Sequence, residues 1–429
     1  MRHKLTRWQR SRSMASITLA LALMLALLSG TGTAHAASRD YIVMLKPGVS
    51  VQGHLKTLKI TPNRVYSSST NGYEAVLNDT QYQRVLSSSD VTIVSPNTVV
   101  ATVPSVKAPP ADPVQPPQSP SNGVKRIGAL SSPTAAIDGV DTRVGVDVAI
   151  IDSGVDIAHP DLNVAGGTDC SGKNGFQDKE GHGTLVAGFV GAIDNSIGRV
   201  GVAPGARIWA LQVANNAGTI TDGALLCAVD WVTAHASTIE VANLSMSGPF
   251  GPHEETGNCG IAAKKADGDP IHAAICASVA AGVTYVVGAG NDSVDSSGRT
   301  PAAYDEVITV SAIADSDGAP GGIGPSMPSG CPPGADDTFA FFSNFGADVD
   351  LAAPGVCIGS TYLGGSYAIS SGTSFASPLV AGAAALYLST HPGASPANVQ
   401  AALLATAEPG PITGDPDAFP EGIVNVAGL

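Results

Sequence analysis

Aromatic residues make up only 5% of this 429-residue chain, and charged residues only 14%. Positive charge is scarcer than negative: 22 Lys and Arg stand against 36 Asp and Glu. Five of those 22 (Arg2, Lys4, Arg7, Arg10 and Arg12) fall within the first 36 residues, where no acid occurs. Setting that segment aside takes the formal net charge from -14 to -19. So acidic a surface argues against nucleic acid as a partner and reads as colloidal solubility. Beyond residue 36 no apolar run reaches the length of a membrane span. No C-x-x-C pair occurs, which speaks against a structural zinc site. His253-Glu-Glu-Thr-Gly257 fails the H-E-x-x-H pattern of zinc proteases at its last position, and Gly372-Thr-Ser-Phe-Ala376 lacks the second glycine of a lipase elbow. There is no internal repeat.

What is abundant is glycine and proline, 50 and 30 residues, in a chain that is 44% hydrophobic. That describes a globular protein with many tight turns, long enough for two or three domains. The N-terminus has the three parts of an export signal: the basic residues above, an apolar stretch from Met14 to Leu28, and Ala34-His35-Ala36 as a small-residue cleavage site. Residues 1–36 are therefore expected to be a signal peptide and the protein to be secreted and free of the membrane once it is removed. Six cysteines follow: Cys170, Cys227, Cys259, Cys276, Cys331 and Cys357. An even count in an exported chain implies disulfides, with 15 pairings open.

Four stretches divide the chain. After the signal, residues 37–103 read as a compact α+β module. Strands are expected at Tyr41–Leu45, Gly72–Leu77, Val91–Val94 and Val99–Val103, with helices at Val51–Lys59 and Asp79–Leu86, the latter opened by an Asp cap. Residues 104–122 are too rich in proline to build a core and form an extended linker. From 123 to 429 the pattern alternates. Apolar strands are expected at Val148–Ile151, Arg207–Val213, Val241–Leu244, Val283–Val287, Val307–Val310 and Val349–Leu351, and helices at Thr184–Ile193, Gly223–His235, Ile271–Ala281 and Phe375–Ser389. Such alternation predicts an α/β fold, a doubly wound parallel sheet, with its site at the carboxyl ends of the strands.

Three segments lie at those strand ends or helix starts. Asp152-Ser-Gly154 directly follows a buried strand, although alone it reads as an ordinary turn. His182 lies between two glycines at a helix start, where a lone surface His would be the commoner explanation. Ser374 opens an apolar helix whose free N–H groups favour developing negative charge, although a Ser there is also a common cap. Together they supply a nucleophile, a base and the carboxylate that orients the base. Their order is Asp, His, Ser.

The stretches VAIIDSGVDIAHPDL, GHGTLVAG, VGVAPGARIWALQV, VTYVVGAGND, DLAAPG and SGTSFASPLVAG resemble the subtilisin-like (subtilase) serine proteases. The resemblance implies a secreted serine endopeptidase of polypeptide substrates, a monomer that needs no cofactor for catalysis. Ser374 would be the nucleophile, His182 the general base, Asp152 its orienting partner, and Asn291 of Gly288-Ala289-Gly290-Asn291 the oxyanion-hole amide. Residues 37–103 would be an inhibitory propeptide, the chain's own intramolecular partner, removed by self-cleavage within the linker. Leu244-Ser245-Met246-Ser247-Gly248, with Gly288, Ala289 and Gly290, would line the substrate groove, and Ala214–Thr219 its opposite wall. Asp161, Ile193, Asn195, Ile197 and Arg199 resemble a structural calcium loop. The cysteines would pair in sequence order: Cys170–Cys227, Cys259–Cys276 and Cys331–Cys357. Arg299 would border the specificity pocket or point to solvent. Leu185, Leu379 and Phe375 depart from the family's usual residues without touching the triad. The alternative is a subtilase fold retained as an inactive binding module, which would not react with a fluorophosphonate.

Overall fold

The computed structural model describes residues 39–103, 115–173, 175–249, 259 and 268–429. The signal segment expected at 1–36 and most of the linker expected at 104–122 lie outside them.

The central element is a sheet of parallel strands running, from one edge, Gly422–Ile423, Leu351–Pro354, Ile308–Ala314, Thr284–Gly288, Val241–Leu244, Asp147–Asp152, Arg207–Gln212 and Val164–Asp169; Thr338–Phe339 adds antiparallel to Ile308–Ala314. The continuous apolar run Val148–Ile151 explains itself here. Val148 and Ile150 enter the core on one face, with Leu185, Phe189 and Phe375, while Ala149 and Ile151 enter the core on the other, with Leu225, Val229 and Ile275. Side chains alternate across a strand, so a strand covered on both faces must be apolar at every position. The helices His182–Gly191 and Thr373–Thr390 cover the first face; Asp222–Ala234 and Pro270–Ala280 cover the second.

Residues 39–102 build an antiparallel sheet in the order Arg64–Tyr66, Gly72–Leu77, Arg39–Leu45, Val91–Pro96, with helices Val51–Leu58 and Asp79–Ser87 and a core of Val43, Leu55, Tyr73 and Val85. The second helix is capped by Asn78, not by Asp79. Its side chain accepts from Gln81 N while the Gln81 side chain accepts from Asn78 N, a reciprocal box that Asp79, one residue further in, cannot form. The module docks on the helix Asp222–Ala234. The Asp230 carboxylate accepts from Ser67 N, Ser68 N, Ser69 N and Ser69 Oγ.

Sequence reading passed over several elements. The strand Val164–Asp169 carries two glycines; a Cβ on Gly166 would meet the Trp209 ring, and one on Gly167 the Ala210 backbone. The hairpin Ile358–Tyr362 and Ser366–Ser370 and the helix Pro396–Thr406 were likewise not expected. Bridges join Cys170–Cys227, Cys259–Cys276 and Cys331–Cys357, each with Cα atoms 5.7 Å apart. Among the described residues no helix is long and apolar enough to cross a membrane.

Candidate active site

Asp152 is the last residue of a central strand and His182 the first of a helix. The glycines flanking the histidine are needed for close approach. Gly181 has φ +93°, and a Cβ on it would run into the Tyr362 ring; a Cβ on Gly183 would collide with the Gly154 carbonyl. With no side chains there, the helix start sinks onto the strand end, and His182 Nδ1 lies 2.8 Å from Asp152 Oδ1 and 3.0 Å from Oδ2. Both residues are buried. Burial alone would depress the His182 pKa, but the Asp152 charge and hydrogen bond, with a contribution from Asp178, outweigh it and raise the value above 6.5. Nδ1 thus donates to the carboxylate, while the buried Nε2 has no hydrogen-bond partner.

The third residue opens the long helix Thr373–Thr390, which contains Pro378. Proline has no N–H, so the carbonyl four residues back, that of Ser374, loses its helical donor. Ser245 Oγ supplies one at 2.7 Å, and Ser374 Oγ in turn donates to the Ser245 carbonyl at 3.0 Å. Asn243 Nδ2 donates to Ser245 Oγ, completing the support. The His182 ring packs against Phe375, the residue after Ser374, with centroids 5.1 Å apart. The residue after the serine thus touches the imidazole, while the Ser374 hydroxyl is turned toward Ser245.

Asn291 follows the strand Thr284–Gly288. Its Oδ1 accepts from Thr373 N at 2.9 Å and from Thr373 Oγ1 at 3.2 Å, capping from outside a helix whose own cap position, Gly372, has no side chain. With the oxygen committed, the amide nitrogen is the end left to face the crevice. A cavity of about 410 Å³ opens there, lined by Ser245, Met246, Ser247, Gly248, Gly290, Asn291, Asp292, Thr373, Ser374 and residues 99–103.

Not every expected groove residue reaches it. Leu244 is buried in the sheet core. Gly288 backs onto Thr373, and Ala289 is buried, its carbonyl accepting from Asn344 Nδ2. The Arg299 guanidinium is paired at 3.1 Å with Asp292, which lines the cavity. Val99–Thr102 pairs antiparallel with Thr219–Thr221, and Val103 N donates to Gly218 O. This strand is thus laid on the wall Thr219–Thr221, with the Val100 carbonyl against Gly248.

The proposed calcium residues come together but do not form an oxygen cage. Asp161 Oδ1 accepts from Asn195 Nδ2, and Oδ2 accepts from Arg199 N and Tyr367 OH. Asn195 Oδ1 accepts from Ile197 N, and Ile193 N donates to the Asp161 carbonyl. Calcium requires six to eight oxygens. Here Asn195 turns its nitrogen to the carboxylate and its oxygen to Ile197 N, so neither atom of its amide is presented to an ion in this arrangement. Burial pushes the Asp161 carboxyl up to about 7 against those three donors. Elsewhere Asp315, Asp317 and Asp336 bring carboxylate oxygens within 4.8 Å of one another, beside the buried Arg126, which pairs with Asp315 and Asp337.

One buried group escaped sequence reading. Asp178 accepts from Ser153 Oγ, Glu180 N, Gly181 N, Thr184 N and Thr184 Oγ1, and Ser153 Oγ accepts from Gly183 N. It ties the turn after Asp152 to the helix start carrying His182. In sequence it stands beside Lys179 and Glu180 and looks like an exposed loop residue.

The profile of the Subtilase family matches residues 143–428. Subtilisin DY of Bacillus licheniformis is 35% identical over 285 residues, 66% of this chain and 89% of that protein. Subtilisin E of Bacillus subtilis (strain 168) is 34% identical over 305 residues, 70% and 69% of the two chains. The crystal structure of a cold adapted subtilisin-like serine proteinase superimposes with a TM-score of 0.54 at 28% identity, covering 72% of this chain and 98% of that one.

Proposed function

The chain belongs to the subtilase family and is a serine endopeptidase, and from that premise we propose that it is secreted, acts through an acyl-enzyme on Ser374, and removes its own N-terminal module. The observation that carries the mechanism is the buried Asp152–His182 pair, whose Nε2 has no hydrogen-bond partner and whose ring packs on Phe375, the residue after Ser374.

Rotation of the Ser374 hydroxyl away from the Ser245 carbonyl brings its proton to His182 Nε2. The oxygen then attacks the substrate carbonyl, His182 holds the proton, and Asp152 stabilises the imidazolium. The carbonyl oxygen becomes an oxyanion, which receives a hydrogen bond from Asn291 Nδ2 and lies at the N-terminus of the helix Thr373–Thr390, where free N–H groups favour negative charge. His182 gives its proton to the leaving amine. A water molecule, deprotonated by the same nitrogen, releases the acyl group from Ser374.

Residues 37–103 act as propeptide in this reading. Val99–Val103 occupies the groove as an added strand, which is how an extended substrate gains main-chain hydrogen bonds without strict side-chain selection. Val103 and Ser374 line the same cavity, so the cut is placed between Val103 and Ala111, though not directly before Pro104. Holding the bond beside the nucleophile makes the step intramolecular. Residues 1–36 carry the chain out of the cell. Ser374→Ala should accumulate as a chain that has lost its signal peptide but keeps the module. If that variant is trimmed at the wild-type residue in a host without other extracellular proteases, self-processing is wrong.

A further inference from the structure

Upstream of the strand in the groove, Thr98 makes a contact that the peptidase reaction does not require. Its N–H and its Oγ1 both donate to Asp222 Oδ2, each at 2.7 Å, and its carbonyl accepts from Asp222 N at 3.0 Å. Asp222 is the first residue of the helix Asp222–Ala234, just past the wall Thr219–Thr221 on which Val99–Thr102 is laid. Helix N-termini favour a carboxylate. The side chain also borders a small cleft with Leu225, Met246, Ile271 and Tyr304, into which Val100 and Ala101 face. With the module in place Asp222 is only 2% exposed.

We infer that Asp222 forms a remote substrate subsite that selects a hydroxyl side chain, serine or threonine, five residues before the one that occupies the place of Val103. This rests on the proposal that the groove strand is held as substrate is held. The chemistry is specific because one carboxylate oxygen takes both an N–H and a β-hydroxyl from the same residue. Only a side chain with oxygen on Cβ closes that ring. Valine has the shape of threonine but sets a methyl group against the carboxylate, and longer polar side chains carry their donors past it. When the module is cut away, the Thr98 donors leave with it, and a substrate residue of the same kind replaces them.

The test uses two synthetic peptides with the sequence of residues 95–113, which spans the whole region of the expected cut, one with Thr and one with Val at the position of Thr98, cleaved by the mature enzyme. A hydrogen bond to a charged group predicts a kcat/KM about tenfold higher for the Thr peptide. A Ser peptide should match Thr. In Asp222→Ala the two peptides should be cleaved at about equal rates. If that variant does not mature, Asp222→Asn, which keeps an acceptor but loses the charge, should shrink the ratio to about threefold. Equal cleavage of both peptides by the wild type overturns the subsite, as does a ratio that persists in the Asp222 variants. Failure to cleave either peptide, in an enzyme that still reacts with a fluorophosphonate, overturns the subsite together with the substrate-like reading of the strand while leaving the peptidase intact. Absence of both cleavage and labelling would instead sink the catalytic assignment on which the subsite depends.

Discussion

Replacing Asn291 separates a catalytic role from a structural one, because its two amide atoms face different tasks. Oδ1 accepts from Thr373 N and Oγ1, and in the proposed mechanism Nδ2 donates to the oxyanion. Asn291→Ala removes both. On the structural side, Thr373 N loses an acceptor that does the work of a helix cap, costing about 1 kcal/mol and lowering the midpoint of thermal inactivation by about 2 °C in a domain of this size. On the catalytic side, a hydrogen bond to a charged group contributes about 1.5–3 kcal/mol. The upper end applies here, because the donor is held in place before the charge appears; that is about a hundredfold in kcat. The range already known for subtilisins, about 10²–10³-fold, brackets this figure. The oxyanion exists only in the transition state, so KM should barely change. Asn291→Asp is the decisive companion. It keeps acceptors for Thr373 and so should melt close to wild type, yet it sets a negative charge against the oxyanion and should be at least as slow as the alanine variant. Steady-state kinetics on a chromogenic peptide, with differential scanning calorimetry on inhibited enzyme, reads both sides. A rise in KM at constant kcat in either variant, or an aspartate variant as active as wild type, would refute the assignment.

The His182 pKa is raised by Asp152 against the opposing effect of burial, and only neutral imidazole can accept the Ser374 proton. kcat/KM should therefore climb with pH through an inflection above 6.5. Asp152→Asn should lower kcat by about 10⁴ and move the remaining inflection downward, since burial then dominates; an inflection that stays put in this variant would contradict the electrostatic account. Asp161 gives a stability test with the opposite slope from most carboxylates. Its folded pKa is about 7, above the ordinary 3.8, so between these values the native state holds a proton that the unfolded chain has released. Stability should fall as pH rises through that window and level off above about 7. Asp161→Asn should abolish this fall and stabilise the protein at pH 8. If the variant is instead less stable there, and wild type loses stability on chelation, a cation occupies the loop after all.

The strongest features of this protein are local in origin, and the sequence by itself determined them. Val148–Ile151 is apolar at every position because both faces of its strand are covered, and that burden is written into consecutive residues. Glycine at 181 is likewise dictated at the position itself, since its φ of +93° is one that favours glycine. The order of Asp152, His182 and Ser374, and the strand and helix ends that carry them, were legible for the same reason. Tertiary structure decided which partner each polar group takes. Asn195 shows its nitrogen to Asp161 instead of an oxygen. Arg299 is claimed by Asp292. Asp178 gathers five donors from three turns, and Asp222 holds a threonine 124 residues away. A hydrogen-bonding side chain has several possible partners of nearly equal energy in water, and the sequence around it does not choose among them. The choice falls to whichever donors the folded core brings within 3 Å and cuts off from solvent, where leaving one unpaired costs about 1–3 kcal/mol.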